Sequence, residues 1–249
     1  MPGPDLTVEP ISRLALLVGA ALLASTLAAV TGFGGAAVLL PALVAVFGIR
    51  AAVPILAVAQ LIGNGSRVLL NRREVNYRIV GWFAIGGVPA AFVGGLLFAA
   101  APTDLLTRLL GAFLLVVVAW RHLHPPLPGA LAAPAFTPLG AGFAFLSALL
   151  GSVGPLMAPF FLAAGLVKGS YIGTEALATV VMRVATLAAY GSAALLTGSS
   201  LLTGLALGPV MILGSIVGKR IVDRLPEQIF VILIEVVLVV AGLGFLIGG

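Results

Sequence analysis

Long apolar runs, separated by short polar or Gly/Pro-rich breaks, follow one another along almost the whole chain. Runs of this length predict helices that cross a membrane. We expect ten helical segments, at roughly 12–31, 35–48, 51–71, 79–100, 103–122, 137–150, 155–167, 169–196, 201–219 and 227–247. The second and seventh are too short to span, because about 13 helical residues reach only about 20 Å, against a hydrocarbon core of about 30 Å. The pattern predicts an all-α integral membrane protein.

The two halves of the chain carry similar signals in the same order, on either side of a Pro-rich stretch that cannot continue a helix. We divide the chain into an N-terminal repeat over 1–124, a linker over 125–136 and a C-terminal repeat over 137–249. The matching positions are Gly32 to Gly35 before Pro41 with Gly151 to Gly154 before Pro159, Arg50 with Lys168, Arg67 with Arg183, and Pro89 and Gly94 with Pro209 and Gly214. This shared order predicts a duplication. With about five segments in each half, the second repeat is expected to be inverted relative to the first.

Composition narrows the function classes. Hydrophobic residues make up 61% of the chain and charged residues 8%, which leaves no room for a soluble domain of ordinary size. The chain has no cysteine, and His122 and His124 lie beside the Pro-rich stretch, so we predict no thiol chemistry, metal site or other cofactor. No serine-hydrolase, zinc-protease or P-loop motif occurs, so we expect no catalytic residues and no enzyme.

The net charge of +5 indicates orientation rather than a nucleic-acid partner. With the N-terminus outside, eight Lys and Arg residues fall on the inner side and three on the outer side. The inner residues are Arg72, Arg73, Arg78, Arg121, Lys168, Lys219, Arg220 and Arg224, and the outer ones are Arg13, Arg50 and Arg108. This bias predicts that both termini of the multi-pass protein lie outside. The sequence does not indicate an oligomeric state.

Arg183 lies in an apolar run, 15 residues after Lys168 and 14 before Thr197. A rise of about 1.5 Å per residue places it roughly 20 Å from either end, near mid-membrane. A guanidinium stays charged there and costs roughly 3 kcal/mol unless a partner or water reaches it. Two interpretations remain open. Arg183 forms a structural ion pair with Glu235 or Glu175, or it binds an anionic substrate, with Thr179 one turn away on the same face.

Arg67 is the corresponding charge of the first half, in a segment that also carries Gln60, Asn64 and Ser66. In one interpretation Arg67 is a second substrate ligand and these polar groups surround the anion. In the other, Arg67 extends to the nearby membrane surface, and the polar side chains bond helix to helix.

The glycine-rich breaks offer a second kind of anion site. They contain Gly32, Gly34 and Gly35 in the first half and Gly151, Ser152 and Gly154 in the second. Interrupted helices at corresponding places of two halves are typical of a substrate cavity, and the backbone N–H groups at a helix start favour an anion. The alternative for each glycine is close helix packing.

Glu175 and Glu235 are the carboxylates of two apolar segments. Each is a partner for Arg183 or a residue that takes up and releases a proton during transport. Coupling to a proton or to sodium is therefore kept as a prediction.

The glycine-rich break before an apolar run and a proline in each half, the Asn71-Arg72-Arg73-Glu74-Val75-Asn76-Tyr77-Arg78 loop and the Gly-rich fourth and ninth segments resemble the sulfite exporter TauE/SafE family of membrane transporters. The resemblance covers nearly the whole chain. The second half departs from the pattern, because Gly151-Ser152-Val153-Gly154-Pro155 replaces a fuller glycine run. The resemblance implies transport of sulfite, sulfoacetate, other sulfonates or related carboxylate anions across the inner membrane.

We therefore predict a secondary transporter, an exporter or permease, that binds a small anion between two inverted repeats near Arg183 and Arg67 and works by alternating access. Its partners would be this anion and the lipid bilayer. Two alternatives remain: an anion channel with the same cavity, and a non-transporting membrane scaffold in which a glutamate neutralises Arg183.

Overall fold

The computed structural model describes residues 8–31, 35–123, 131–151, 153–166 and 168–221. Within these residues the chain forms nine α-helices, and a single 3-10 turn, Ala133–Ala135, leads into the sixth. The helices are α1 Val8–Thr31, α2 Gly35–Phe47, α3 Ile49–Leu70, α4 Tyr77–Ala100, α5 Thr103–Leu123, α6 Phe136–Leu150, α7 Gly154–Ala163, α8 Lys168–Ser192 and α9 Gly198–Ile221. Six helical stretches are long and apolar enough to cross a membrane, which confirms the predicted all-helical membrane fold.

Each of the first nine predicted segments corresponds to one of these helices, and the tenth, 227–247, lies outside the described residues. The two segments predicted to be short are short, since α2 has 13 residues and α7 has 10. α8 ends at Ser192, earlier than the predicted 196. The backbone turns there because Ala194 adopts a φ of 57° and the N–H groups of the next two residues donate back to the Tyr190 carbonyl.

α3 and α8 form the centre of the described bundle. In their membrane-spanning stretches 61% of the residues are buried, against 33–39% in the other four, so these two helices face protein on most sides. They run antiparallel: Arg183 in the second half of α8 meets Gln60 in the middle of α3, whereas Arg67 near the end of α3 meets Glu175 near the start of α8.

The outer helices pack on this central pair in two related sets. α4 packs against α6 and α8, and α9 packs against α1 and α3. If α1, α3 and α4 correspond to α6, α8 and α9, exchanging the two halves converts one set into the other. The packing agrees with inverted repeats, while the duplication itself and the division at 125–136 stay predictions.

Glycines allow the outer helices to approach closely. A Cβ atom on Gly86 of α4 would lie 2.0 Å from the carbonyl oxygen of Thr137 in α6. A Cβ atom on Gly214 of α9 would lie 1.9 Å from Oγ of Ser25 in α1. Both distances are far below van der Waals contact, so the helix spacing requires glycine at these positions.

Candidate functional site

A small cavity lies beside the contact between α3 and α8. The volume that water can occupy in this cavity is about 40 Å³, which is enough for more than one water molecule. Its lining comes from both halves of the chain and consists of Ser25, Ala28, Gly35, Ala36, Leu39, Leu56, Gln60, Gly63, Asn64, Arg67, Ser147, Val153, Gly154, Glu175, Thr179, Met182, Arg183, Met211 and Ser215. The cavity therefore lies where the prediction of a substrate site between two halves requires one.

Arg183 lines the cavity and is only 1% exposed. Its Nε donates to Oε1 of Gln60 at 2.7 Å, its Nη1 to the Ser147 carbonyl at 3.3 Å, and its Nη2 to the Gly151 carbonyl. These bonds use three of the five N–H groups of the guanidinium. The other two have no acceptor among the described residues and are the donors that a ligand in the cavity can use.

Arg67 is 8% exposed and turned into the protein, so the alternative in which it extends to the membrane surface is wrong. Its Nη1 donates to the Ala28 carbonyl at 3.1 Å, and its Nη2 donates to Oδ1 of Asn64. The same Nη1 lies 3.6 Å from Oε2 of Glu175, which is an ion pair. Glu175 therefore pairs with Arg67 and not with Arg183 as one interpretation of the sequence expected.

The two arginines make the same kind of contact in their respective halves. Arg67 of α3 binds the carbonyl of Ala28, three residues before α1 ends at Thr31. Arg183 of α8 binds the carbonyl of Ser147, three residues before α6 ends at Leu150. A helix carries a partial negative charge at its C-terminal end, so a guanidinium that donates to carbonyls there is stabilised. Each arginine thus caps the helix that precedes a glycine-rich break.

Two buried polar atoms at the cavity have no hydrogen-bond partner within the described ranges: Oε2 of Glu175 and Oγ of Ser147. The other carboxylate oxygen of Glu175, Oε1, accepts a hydrogen bond from Oγ1 of Thr179 at 3.1 Å. A buried polar atom without a partner costs roughly 1–3 kcal/mol, and a ligand or water in the cavity can recover part of that cost.

The short helices begin at the cavity. Gly35 at the start of α2 and Gly154 at the start of α7 both line it. The second break offers fewer amides than its sequence suggested, since the Gly151 N–H donates to the Ser147 carbonyl and the Leu156 N–H donates to the Val153 carbonyl. Gly151 instead turns its carbonyl towards Arg183. Its φ of 81° suits glycine, because an L side chain is strained in that conformation.

The structure brings most of the predicted site residues together. Gln60, Asn64 and Thr179 line the cavity with the two arginines. Ser66 does not line it, and its hydroxyl donates to the Gly63 carbonyl. Gly32, Gly34, Ser152 and Glu235 lie outside the described residues. The sequence analysis missed Ser147, whose signal was a hydroxyl in the apolar second half of α6, one turn before the break at Gly151.

Residues 17–245 of the chain match the family described as Sulfite exporter TauE/SafE. The chain belongs to this family. None of the curated proteins and none of the solved structures gives a significant match.

Members of the TauE/SafE family are transporters, so with its six apolar helices the chain is a multi-pass membrane transporter, and the family implies a small anion and the bilayer among its partners. The resemblance drawn from the glycine-rich breaks is thereby confirmed. In this TauE/SafE protein the buried arginines and the cavity lie at the contact between the helices that are third in each half.

Proposed function

We propose that this protein is a secondary transporter that binds a small oxyanion in the cavity between Arg67 and Arg183. The observation that carries the proposal is the charge of the lining: its described residues include two arginines and one glutamate, which leaves one positive charge in excess. An uncompensated charge at membrane depth is costly. A bound anion neutralises it, and sulfite, the sulfonates and small carboxylates present oxygens that match a guanidinium fork.

As ligands of the anion we choose groups of the cavity that carry hydrogen-bond donors. They are the two remaining N–H groups of Arg183, the hydroxyl of Ser147, the amides at the start of α2, and the Gly154 amide at the start of α7. Arg67, Gln60, Asn64 and Thr179 shape the site around the anion. The glycine-rich breaks before the short helices remain part of the proposed anion site, as the sequence suggested. They contribute Gly32, Gly34 and Ser152.

Movement of the two halves against each other, with α3 and α8 at their contact, is the proposed route to alternating access. The scaffold alternative needs a glutamate that neutralises Arg183, and among the described residues Glu175 does not serve, because it pairs with Arg67. An anion channel with the same cavity predicts flux that does not saturate with anion concentration.

The proposal also covers the membrane that holds the protein, the side on which its termini lie and the ion that drives transport. We place the protein in the inner membrane with both termini outside, on the charge bias of its loops. Proton or sodium coupling is assigned to Glu175, which lines the cavity, or to Glu235.

The test is thermal unfolding of the purified protein in sulfite, sulfate, sulfoacetate, taurine, acetate or chloride. A ligand at 100 times its Kd stabilises the folded state by about 2.7 kcal/mol. We expect at least one sulfur oxyanion to raise Tm with a saturating concentration dependence. General salt effects, in contrast, grow steadily with concentration.

Three variants locate the site. Arg183→Leu should lose the Tm shift, and Arg108→Leu, which removes an exposed arginine of α5, should keep it. Arg183→Lys keeps the charge but cannot hold three acceptors in the same geometry, so it should bind at least about tenfold more weakly. A Tm shift that is the same in wild type, Arg183→Leu and Arg183→Lys would exclude Arg183 from the site.

A further inference from the structure

Glu175 is the carboxylate that the described chain places in the cavity lining, and it is held there. Its side chain is about 4% exposed, and Thr179 Oγ1 fixes one carboxylate oxygen at 3.1 Å. The second oxygen has no hydrogen-bond partner in the described parts of the chain and lies 3.6 Å from Nη1 of Arg67. The protein thus places a carboxylate of its own inside the proposed anion site.

The Glu175 carboxylate lowers the net positive charge that an incoming anion meets. The two arginines of the described lining, Arg67 and Arg183, contribute two positive charges. Glu175 reduces this net charge to one. A monoanion then brings the described lining to neutrality, whereas a dianion leaves it with a net negative charge. The dianion also feels twice the repulsion from Glu175, and charges a few ångströms apart interact strongly in such surroundings.

We propose that Glu175 selects the charge of the substrate, so that the site accepts a monoanion in preference to a dianion of the same shape. The inference rests on the proposed function, because it takes the cavity between Arg67 and Arg183 as the anion site. It gives the Arg67–Glu175 pair a role in specificity that is separate from any role in coupling.

Methanesulfonate and sulfate test the proposal. Both are tetrahedral sulfur oxyanions of similar size, neither changes its charge near neutral pH, and they differ by one unit of charge. Isothermal titration calorimetry of the purified full-length protein gives both Kd values, with the ionic strength held constant by sodium gluconate. We expect wild type to bind methanesulfonate more tightly than sulfate.

The variants change the charge one unit at a time. Glu175→Gln should shift the ratio of the two Kd values towards sulfate by at least about tenfold. Glu175→Asp retains the charge and should retain the preference for methanesulfonate. The ratio isolates the charge, because the chemical difference between methyl and oxygen is the same in every variant.

A second comparison avoids leaving Arg67 buried without its partner. Arg67→Gln gives the described lining no net charge, and the double variant Arg67→Gln with Glu175→Gln restores one positive charge. Arg67→Gln should bind anions more weakly than wild type, and in this background too loss of Glu175 should move the ratio towards sulfate. Comparison of Arg67→Gln with the double variant replaces the first test if Glu175→Gln alone does not fold.

The outcomes separate the two proposals. Binding of both anions with the same Kd ratio before and after removal of Glu175 overturns charge selection and leaves the anion site standing. Binding of neither methanesulfonate nor sulfate to wild type, together with no Tm shift in the panel of six anions, overturns the anion site and charge selection with it.

Discussion

Arg67 and Arg183 each do two things at once, and this explains how charged residues are kept at this depth. Each donates to the carbonyls near the end of a preceding helix, and each lines the cavity. The capping bonds offset part of the cost of burial and fix the guanidinium in place. An arginine that is already oriented loses little side-chain entropy when a ligand arrives, which favours binding.

Ser147 gives a prediction at the scale of one hydroxyl. Its Oγ is buried at the cavity without a partner among the described residues, so we expect it to bind the anion. Ser147→Ala should weaken anion binding about 3- to 10-fold, the value of one hydrogen bond, without lowering Tm in the absence of anion. Isothermal titration with the anion that stabilises wild type measures this.

Ser25→Ala is the matched control. Ser25 also lines the cavity, but its hydroxyl already donates to the Ala21 carbonyl at 2.7 Å, so its removal should leave the Kd unchanged. Equal losses in the two variants, or none in Ser147→Ala, would show that the Ser147 hydroxyl does not contact the anion.

The sequence predicts which residues share a helix face better than it predicts which faces meet. Gln60, Asn64 and Arg67 recur at helical spacing on α3, and all three line the cavity. The same holds for Glu175, Thr179 and Arg183 on α8. The partners depend on how the antiparallel α3 and α8 align, which no local pattern encodes. For that reason the pairing of Glu175 with Arg67 appeared only in the structure.

The elements themselves were predictable because their signals are local. Apolar length and glycine or proline breaks gave the helices and identified α2 and α7 as short. The end of α8 was less predictable, since the chain leaves the helix through Ala194 in a positive-φ conformation that alanine rarely adopts. The contacts of the Gly151 N–H and carbonyl were likewise beyond the sequence, because a glycine signals a break without saying which way its peptide groups point.

Close packing between α4 and α6 gives a prediction at the scale of the helix. Gly86→Ala would place a Cβ 2.0 Å from the Thr137 carbonyl, so the helices must separate at a cost of about 1–3 kcal/mol. Gly81→Ala on the same helix meets nothing within 4 Å and should be neutral or slightly stabilising. Thermal unfolding in detergent compares them. Equal Tm values for the two variants would contradict the helix spacing described here.

At the scale of the whole molecule, the two sets of outer helices and the central α3–α8 pair suggest one body of helices moving against another. In the proposed alternating access, such motion would expose the same cavity residues first to one side of the membrane and then to the other. The chain contains no cysteine, so an introduced one is a unique chemical probe of this exposure. Ser215 of α9 is a suitable position, since it lines the cavity and is 1% exposed.

In right-side-out and in inside-out vesicles, a charged thiol reagent should label Ser215→Cys from either side, and a saturating substrate should change the labelling rate. Leu213→Cys, on the same helix but 58% exposed and within a stretch apolar enough to cross a membrane, should resist the charged reagent and serves as the control. A scaffold without an accessible cavity predicts no labelling of either cysteine. A channel predicts labelling of Ser215→Cys from both sides together with anion flux that does not saturate, because no step of a channel closes one side before the other opens. Labelling from both sides with saturable flux is the combination that only alternating access produces.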